Sequence, residues 1–270
     1  MAADFDLNGR VVIVTGGLGQ LGASFANALL DAGARVAVVD MSDDPARAKI
    51  PLREAGSDRL MLLAADVTSK PSLKAALARI EAAWGAPFGL INNAAIDAPP
   101  GAPASENGPF EDYPDASLDR MLDVNVKGVV FCCQVFGAAM ATAGRGSIVN
   151  ISSIYGVLSP DQSLYQYRRD RGEDFYKPVG YSVTKSALIN LTRYLAVYWG
   201  KQGVRVNTLT FAGVFANQDP EFLGPYTRKV PLGRMAEPED YDGPVVFMMS
   251  DASRYMTGAN VVIDGGFTAM

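Results

Sequence analysis

A glycine-rich turn set between two buried strands narrows the folds open to this chain more than any other feature. Val11-Val12-Ile13-Val14-Thr15 is a short, continuous apolar and β-branched run, the pattern of a strand covered on both faces. Gly16-Gly17-Leu18-Gly19-Gln20-Leu21-Gly22 follows at once, and apolar spacing at Phe25, Leu29 and Leu30 predicts a helix ending at Gly33. Arg35–Asp40 reads as a second buried strand. Gly17, Gly19 and Gly22 satisfy G-x-G-x-x-G between a strand and a helix, where the backbone can turn tightly and a pyrophosphate can approach the positive end of the helix. Asp40 stands about 20 residues on, as a dinucleotide-binding turn requires. Its carboxylate can accept hydrogen bonds from ribose hydroxyls and would repel a 2′-phosphate. No Arg or Lys follows immediately (Met41, Ser42), which favours NAD over NADP. Capping the next helix is the alternative role for that aspartate.

The same alternation runs to the end of the chain. Strands are expected over 59–65, 88–91, 147–151, 204–209 and Asn260–Ile263, and helices over 69–84, 118–143, 182–199 and 237–249. The stretch 98–115 is rich in Pro and Gly and reads as a surface loop. No domain boundary or repeat interrupts the 270 residues. The expected fold is α/β: one domain, a doubly wound parallel sheet of seven strands flanked by helices. Ligands of such sheets bind beyond the carboxyl ends of the strands, and Gly17, Asp40, Asp66, Asn92 and Ser153 all follow strand ends.

Composition removes several chemistries. The chain has no His, so a Ser-His-acid triad or a His-ligated metal is unavailable, and no metal site is expected. Cys132 and Cys133 are adjacent in an apolar stretch and read as core packing. A net charge of −5 argues against nucleic acid. No apolar run approaches the ~20 residues of a membrane span, and residues 1–10 lack a basic-then-apolar leader. A cytoplasmic protein with no membrane partner is expected.

Tyr181 and Lys185 lie four apart at the head of a segment with helical spacing, which puts phenol and ammonium on one face. A cation beside a phenol favours the phenolate and lowers its pKa toward the range of efficient acid/base work. Ser153 could hold a substrate oxygen beside the Tyr181 hydroxyl. That set can interconvert an alcohol and a carbonyl.

With these motifs in hand, the chain resembles the short-chain dehydrogenase/reductases over nearly its whole length, in their short, single-domain Rossmann-fold branch. Tyr181-x-x-x-Lys185 is similar to the family's catalytic pair, Asn150-x-x-Ser153-x-x-Gly156 carries its serine, and Asn125 matches its asparagine. Asp66-Val67 resembles the pair that contacts adenine, and Asn92-Asn93-Ala94 the segment that steadies the central sheet. The resemblance implies a cofactor site of Gly16, Gly17, Gly19, Gln20, Leu21, Gly22, Asp40, Asp66, Val67, Asn93, Tyr181, Lys185, Gly213 and Val214. It implies that Tyr181 exchanges a proton with the substrate oxygen and Ser153 orients that oxygen. Lys185 would bind the nicotinamide ribose and depress the Tyr181 pKa, and Asn125 would hold a water of the proton relay. It further implies a homotetramer, consistent with the apolar helices 118–143 and 182–199 pairing across two-fold axes.

The chain also departs from the family pattern. Gln20 stands where the short branch has glycine, a spacing shared with the extended branch that acts on nucleotide sugars. Ala95 replaces a usual glycine and Ala212 a usual proline. An insert over about 157–178 separates Ser153 from Tyr181, and a substrate-side segment spans about 213–236. Tyr165, Tyr167, Arg168, Arg169, Arg171, Phe175 and Tyr176 of the insert suit a polar or anionic substrate. Asp161, Asp170, Glu173 and Asp174 offset its cations, so a solvated loop or subunit contact stays equally open. The 152–156 and 213–219 segments also resemble members associated with bacterial surface-sugar synthesis. The leading function is NAD(P)-dependent interconversion of a secondary alcohol and a ketone by hydride transfer, with a sugar-derived small molecule as substrate. The alternatives are a nucleotide-sugar epimerase or dehydratase, and a non-catalytic dinucleotide sensor.

Overall fold

A computed structural model describes residues 5–97 and 106–270. β1 (Val11–Thr15), β2 (Arg35–Asp40), β3 (Leu60–Ala64), β4 (Gly89–Asn92), β5 (Gly146–Ser153), β6 (Val204–Phe211) and β7 (Asn260–Ile263) form one sheet in the order β3-β2-β1-β4-β5-β6-β7. Every pairing is parallel. The helices are α1 (Gln20–Asp31), α2 (Lys70–Trp84), α3 (Asp115–Thr142), α4 (Gln166–Asp170), α5 (Val179–Trp199), α6 (Pro220–Thr227) and α7 (Asp242–Met249). The expected strands are all present, with ends shifted by no more than two residues; α3 and α5 each start three residues earlier than expected, and α7 starts five later, behind a 3-10 turn at Pro238–Tyr241. Of the loop expected over 98–115, residues 98–105 lie outside the described residues, and 115 already opens α3.

Alternate residues of each strand feed two cores, which is why the strands read as unbroken apolar runs. Val12, Val14, Val36, Val38, Val149 and Leu209 meet Phe25 and Leu29 of α1 and Val245 and Met248 of α7. Val11, Ile13, Val39, Leu90, Ile148 and Val206 meet Leu73 and Ile80 of α2, Phe136 and Met140 of α3, and Leu188 and Trp199 of α5. At about 1.5–3 kcal/mol for each fully buried aliphatic side chain, these layers hold the strand ends in place. Cys132 and Cys133 belong to the second core as free thiols, and burial pushes Cys133 up to about 12.

α3 corrects one expectation. By length and apolar composition this helix could cross a membrane, and half of its most apolar window is buried inside the protein. Two stretches of it, Asp123–Gly128 and Cys133–Gly137, are π-helical.

A buried polar chain crosses the sheet. Asn92 Nδ2 donates to Asn150 Oδ1 at 2.8 Å, Asn150 Nδ2 to Thr192 Oγ1 at 2.8 Å, and Thr208 Oγ1 to Thr192 Oγ1 at 2.8 Å. It ties β4, β5 and β6 to the middle of α5.

Candidate active site

The first strand-to-helix turn is built around Asn93. Its Nδ2 donates to Thr15 O at 3.1 Å and Gly16 O at 3.0 Å, while Thr15 Oγ1 accepts from the amides of Asn93 and Ala94. Gly16 has φ +62°, and a Cβ there would come within 2.7 Å of the Ala94 Cα. A Cβ on Gly22 would meet Gly16 O at 2.2 Å. Gly17 and Gly22 are thus packed beneath the turn, Gly17 against Val38, whereas Gly16, Gly19, Gln20 and Leu21 line the groove above it. No side chain caps α1, so its positive end stays open to an anionic ligand.

That groove, about 1040 Å³, runs on past Asp40, Asp66, Val67 and Asn93. The Asp40 carboxylate accepts from Leu18 N at 3.0 Å and Met41 N at 2.7 Å, so it supports the turn rather than capping a helix. Asp66 is held by Thr68, whose amide and hydroxyl both donate to Oδ1 at 2.8 Å. Arg47 and Lys49 reach the same wall as Asp40, Met41 and Ser42, which proximity in the sequence alone did not disclose. The donors and the glycine-lined cradle fit a dinucleotide.

Leu21, Asn93 and Ala95 also line a second cavity of about 840 Å³, so the two are continuous. Here β5 ends at Ser153, and Ser153 Oγ accepts from Tyr155 N at 3.2 Å. A Cβ on Gly156 would collide with Ser152 Oγ at 2.5 Å and the Lys185 backbone at 2.9 Å, so the strand exit lies directly on α5. This contact brings Ser153, Tyr181 and Lys185 together on the cavity, which Gly213 and Val214 also line. Tyr181 is half-buried and faces the cavity; Ser153 and Lys185 are buried.

The electrostatics differ from expectation. Lys185 Nζ donates to Ile151 O at 2.9 Å and lies 5.7 Å from the Tyr181 ring centre. Burial pushes the Tyr181 phenol well above its ordinary value, the charge of Asp97 pushes it further, and only the Ser153 hydroxyl pulls it down. Burial likewise depresses the Lys185 ammonium to about 8, against a smaller upward pull from Asp97. Desolvation outweighs the neighbouring cation, so the protein's own groups hold Tyr181 as a neutral phenol, a proton donor.

Asn125 does not line the cavity. Its Oδ1 accepts from Ile96 N at 2.8 Å, and its Nδ2 donates to Ile96 O at 2.8 Å and Thr184 Oγ1 at 3.2 Å. It sits in the first π-helical stretch of α3, one layer behind Tyr181, where the i→i−4 ladder is relaxed.

The insert is a cover with its own scaffold. Arg169 donates to Phe175 O and Gln162 O, both at 2.7 Å, and stacks on Tyr176; neither residue lines the cavity. Tyr165, Tyr167, Arg168, Arg171 and Phe175 do line it. Each cation is already matched: Arg168 with Glu173, and Arg171 with Asp219 at 2.8 Å and Glu221 at 2.6 Å. The last pairs bridge the insert to the substrate-side segment, where α6 lies. The Tyr155 hydroxyl is buried without a well-formed hydrogen bond, beside that of Tyr165, and burial pushes it up to about 12. Asp97 and Lys177, paired to each other on the cavity wall, were not singled out from the sequence. Gln20 explains one departure from the family pattern: its Nε2 donates to Phe215 O at 2.9 Å, fastening the glycine turn to the substrate-side segment.

A family model described as Enoyl-(Acyl carrier protein) reductase matches residues 19–268. Galactitol 2-dehydrogenase of Rhizobium johnstonii is 33% identical over 271 residues, covering 98% of this chain and 97% of that protein. D-threitol dehydrogenase of Mycolicibacterium smegmatis is 33% identical over 274 residues, covering 98% and 95%. A crystal structure of a short chain dehydrogenase from Leptospira borgpetersenii with bound NAD+ superimposes with a TM-score of 0.84 at 34% identity, covering 97% and 94%.

Proposed function

The chain belongs to the short-chain dehydrogenase/reductases, and from that premise we propose that it is an NAD-dependent dehydrogenase of uncharged polyols or sugar alcohols. One observation carries the reading: the hydroxyls of Ser153 and Tyr181 face a single cavity continuous with the dinucleotide groove. The substrate class follows from charge. The insert's cavity-lining cations are matched by carboxylates, so they offer no net attraction for an anion, while the wall is rich in phenol and amide groups suited to hydroxyls. Two of the relatives named above act on polyols.

Gly16, Gly19, Gln20 and Leu21 would hold the pyrophosphate, Asp40 the adenosine ribose, and Asp66 and Val67 the adenine. A bound nicotinamide would take up the hydride from the carbinol carbon. Ser153 orients the substrate oxygen against the Tyr181 hydroxyl. Tyr181 exchanges the proton of that oxygen, and Lys185 supplies positive charge beneath the ring. Asn125 acts from behind, through the relaxed turn of α3. Asp40 supports NAD over NADP by repulsion of a 2′-phosphate, against which Arg47 and Lys49 pull.

A panel of polyols, hydroxy acids and simple secondary alcohols, each with NAD and NADP, tests the reading by the absorbance of the reduced cofactor. We expect galactitol- or threitol-like polyols to be oxidised with at least about tenfold preference for NAD, a difference of roughly 1.4 kcal/mol. Turnover confined to hydroxy acids would overturn the substrate class. Conversion without net reduced cofactor would favour the epimerase reading.

The outer face of α5 supports a homotetramer. Tyr194, Val197 and Tyr198 are 63%, 85% and 61% exposed, and Val183 continues the stripe. Such an apolar face on a single chain is suited to a two-fold contact. Light scattering is expected to give the mass of four chains, and Val197→Glu to give a smaller species. A native monomer at micromolar concentration would contradict the assembly.

A further inference from the structure

We propose that Lys177 and Asp97 together recognise a second hydroxyl of the substrate, on a carbon next to the one that reacts. The proposal deepens the polyol reading and rests on it.

Lys177 is the last residue but one of the insert, just ahead of α5, and its root is fixed on both sides. Gln162 Oε1 accepts from Lys177 N at 2.9 Å, and Gln162 Nε2 donates to Lys177 O at 3.1 Å. The side chain is therefore aimed from a clasped backbone and not from a free loop. It is only 13% exposed; its ammonium pairs with Asp97, which follows β4, and lies 4.9 Å from the centre of the Tyr181 ring. Both residues line the substrate cavity together with Ser153 and Tyr181.

The pair is neutral as a unit, and that decides what it can receive. A carboxylate placed there is repelled by Asp97, and an ammonium by Lys177. An apolar group would desolvate both charges and return nothing. A hydroxyl satisfies both sides, donating to the carboxylate while accepting from one of the three ammonium donors. The ammonium lies 4.9 Å from the centre of the Tyr181 ring, which brings the pair within reach of an oxygen on a carbon adjacent to the carbinol that faces Tyr181 and Ser153. The preferred substrate is then a vicinal diol, or the α-hydroxy ketone on the reverse reaction. An acyclic or cyclic polyol meets this requirement at every interior carbon.

The obvious competing role is electrostatic. Lys177 screens Asp97, whose charge pushes the Tyr181 phenol up. Screening alters the proton transfer of every alcohol alike, whereas recognition alters the ratio between a diol and the matching monoalcohol.

The test compares kcat/KM for butane-2,3-diol and butan-2-ol in the native chain, Lys177→Met and Asp97→Asn, with thermal melting to verify folding. The native chain is expected to prefer the diol, and each variant to lower that preference about 10–100-fold, the range for losing a hydrogen bond to a charged partner. Asp97→Asn keeps the side-chain volume and carries the test if Lys177→Met does not fold. A diol preference unchanged within twofold in a folded variant overturns the proposal, as does a native chain without that preference. A native chain that binds NAD but oxidises neither alcohol, nor any polyol of the panel, overturns the polyol reading itself.

Discussion

Tyr181→Phe should leave an enzyme that binds its dinucleotide normally and turns over its alcohol at least about 10²–10⁴-fold more slowly, the usual contribution of a positioned acid/base. The substitution removes one oxygen and nothing else. The half-buried ring stays in contact with Lys177 and Lys185, so local packing is kept. The lost atom is the one that Ser153 pulls upon and that faces the cavity. Calorimetric titration with NAD, beside rates under saturating alcohol, separates the two effects. Binding unchanged within about twofold with kcat collapsed is the expected pair of results, since an interaction lost only in the transition state lowers kcat. Retained turnover would dismiss Tyr181 as the proton carrier.

Lys185→Met should move activity and stability in opposite directions. Removing the buried ammonium beside the Tyr181 ring is expected to lower kcat/KM by about 10²–10³. Stability is a separate matter, because the buried ammonium titrates near 8 in the folded chain against its ordinary 10.5. A depressed folded value means that the unfolded chain binds the proton more tightly. Burying the charged lysine therefore costs about 3 kcal/mol below pH 8, and the cost disappears as pH rises from about 8 to 10.5. Methionine removes that cost but strands Ile151 O, which accepts from the ammonium, at about 1–3 kcal/mol. A net gain of about 1 kcal/mol at pH 7 follows, or about 2–4 °C in Tm. The difference between native and variant should shrink or reverse when melting is repeated near pH 10. A variant less stable at pH 7 than at pH 10, relative to the native chain, would mean that the ammonium is compensated within the fold.

What the sequence discloses here depends on how far apart the interacting residues lie. The turn from Val11 to Gly22 is local, so strand, glycines and helix are legible as a unit, and Asp40 follows as the end of the next buried run. Ser153, Tyr181 and Lys185 converge because β5 and the head of α5 both end on one edge of a parallel sheet, a rule of topology. The Asp97–Lys177 pair spans 80 positions and the Gln20–Phe215 bond 195, and no periodicity marks either. Arg47 and Lys49 escaped notice for a related reason: a short helical turn at Pro45–Arg47 folds them back toward Asp40. The direction of the Tyr181 pKa failed differently. A spacing of four residues gives the nearness of a cation, but the size of the desolvation opposing it depends on burial, which only the packed chain reveals. Asn125 illustrates the same limit, since its partners at Ile96 and Thr184 come from two other segments.

The hydrogen-bonded line from Asn92 through Asn150 and Thr192 to Thr208 works as an index pin for α5. Apolar side chains on α5 would tolerate a slip of one turn, because leucine and alanine pack in many ways. Such a slip would bring Leu188 or Ala196 opposite Asn150 and Thr208, leaving buried polar atoms stranded at about 1–3 kcal/mol apiece. The false alignments are thereby priced out, and Tyr181, three turns up the same helix, inherits its address above the groove from a threonine that never meets a substrate.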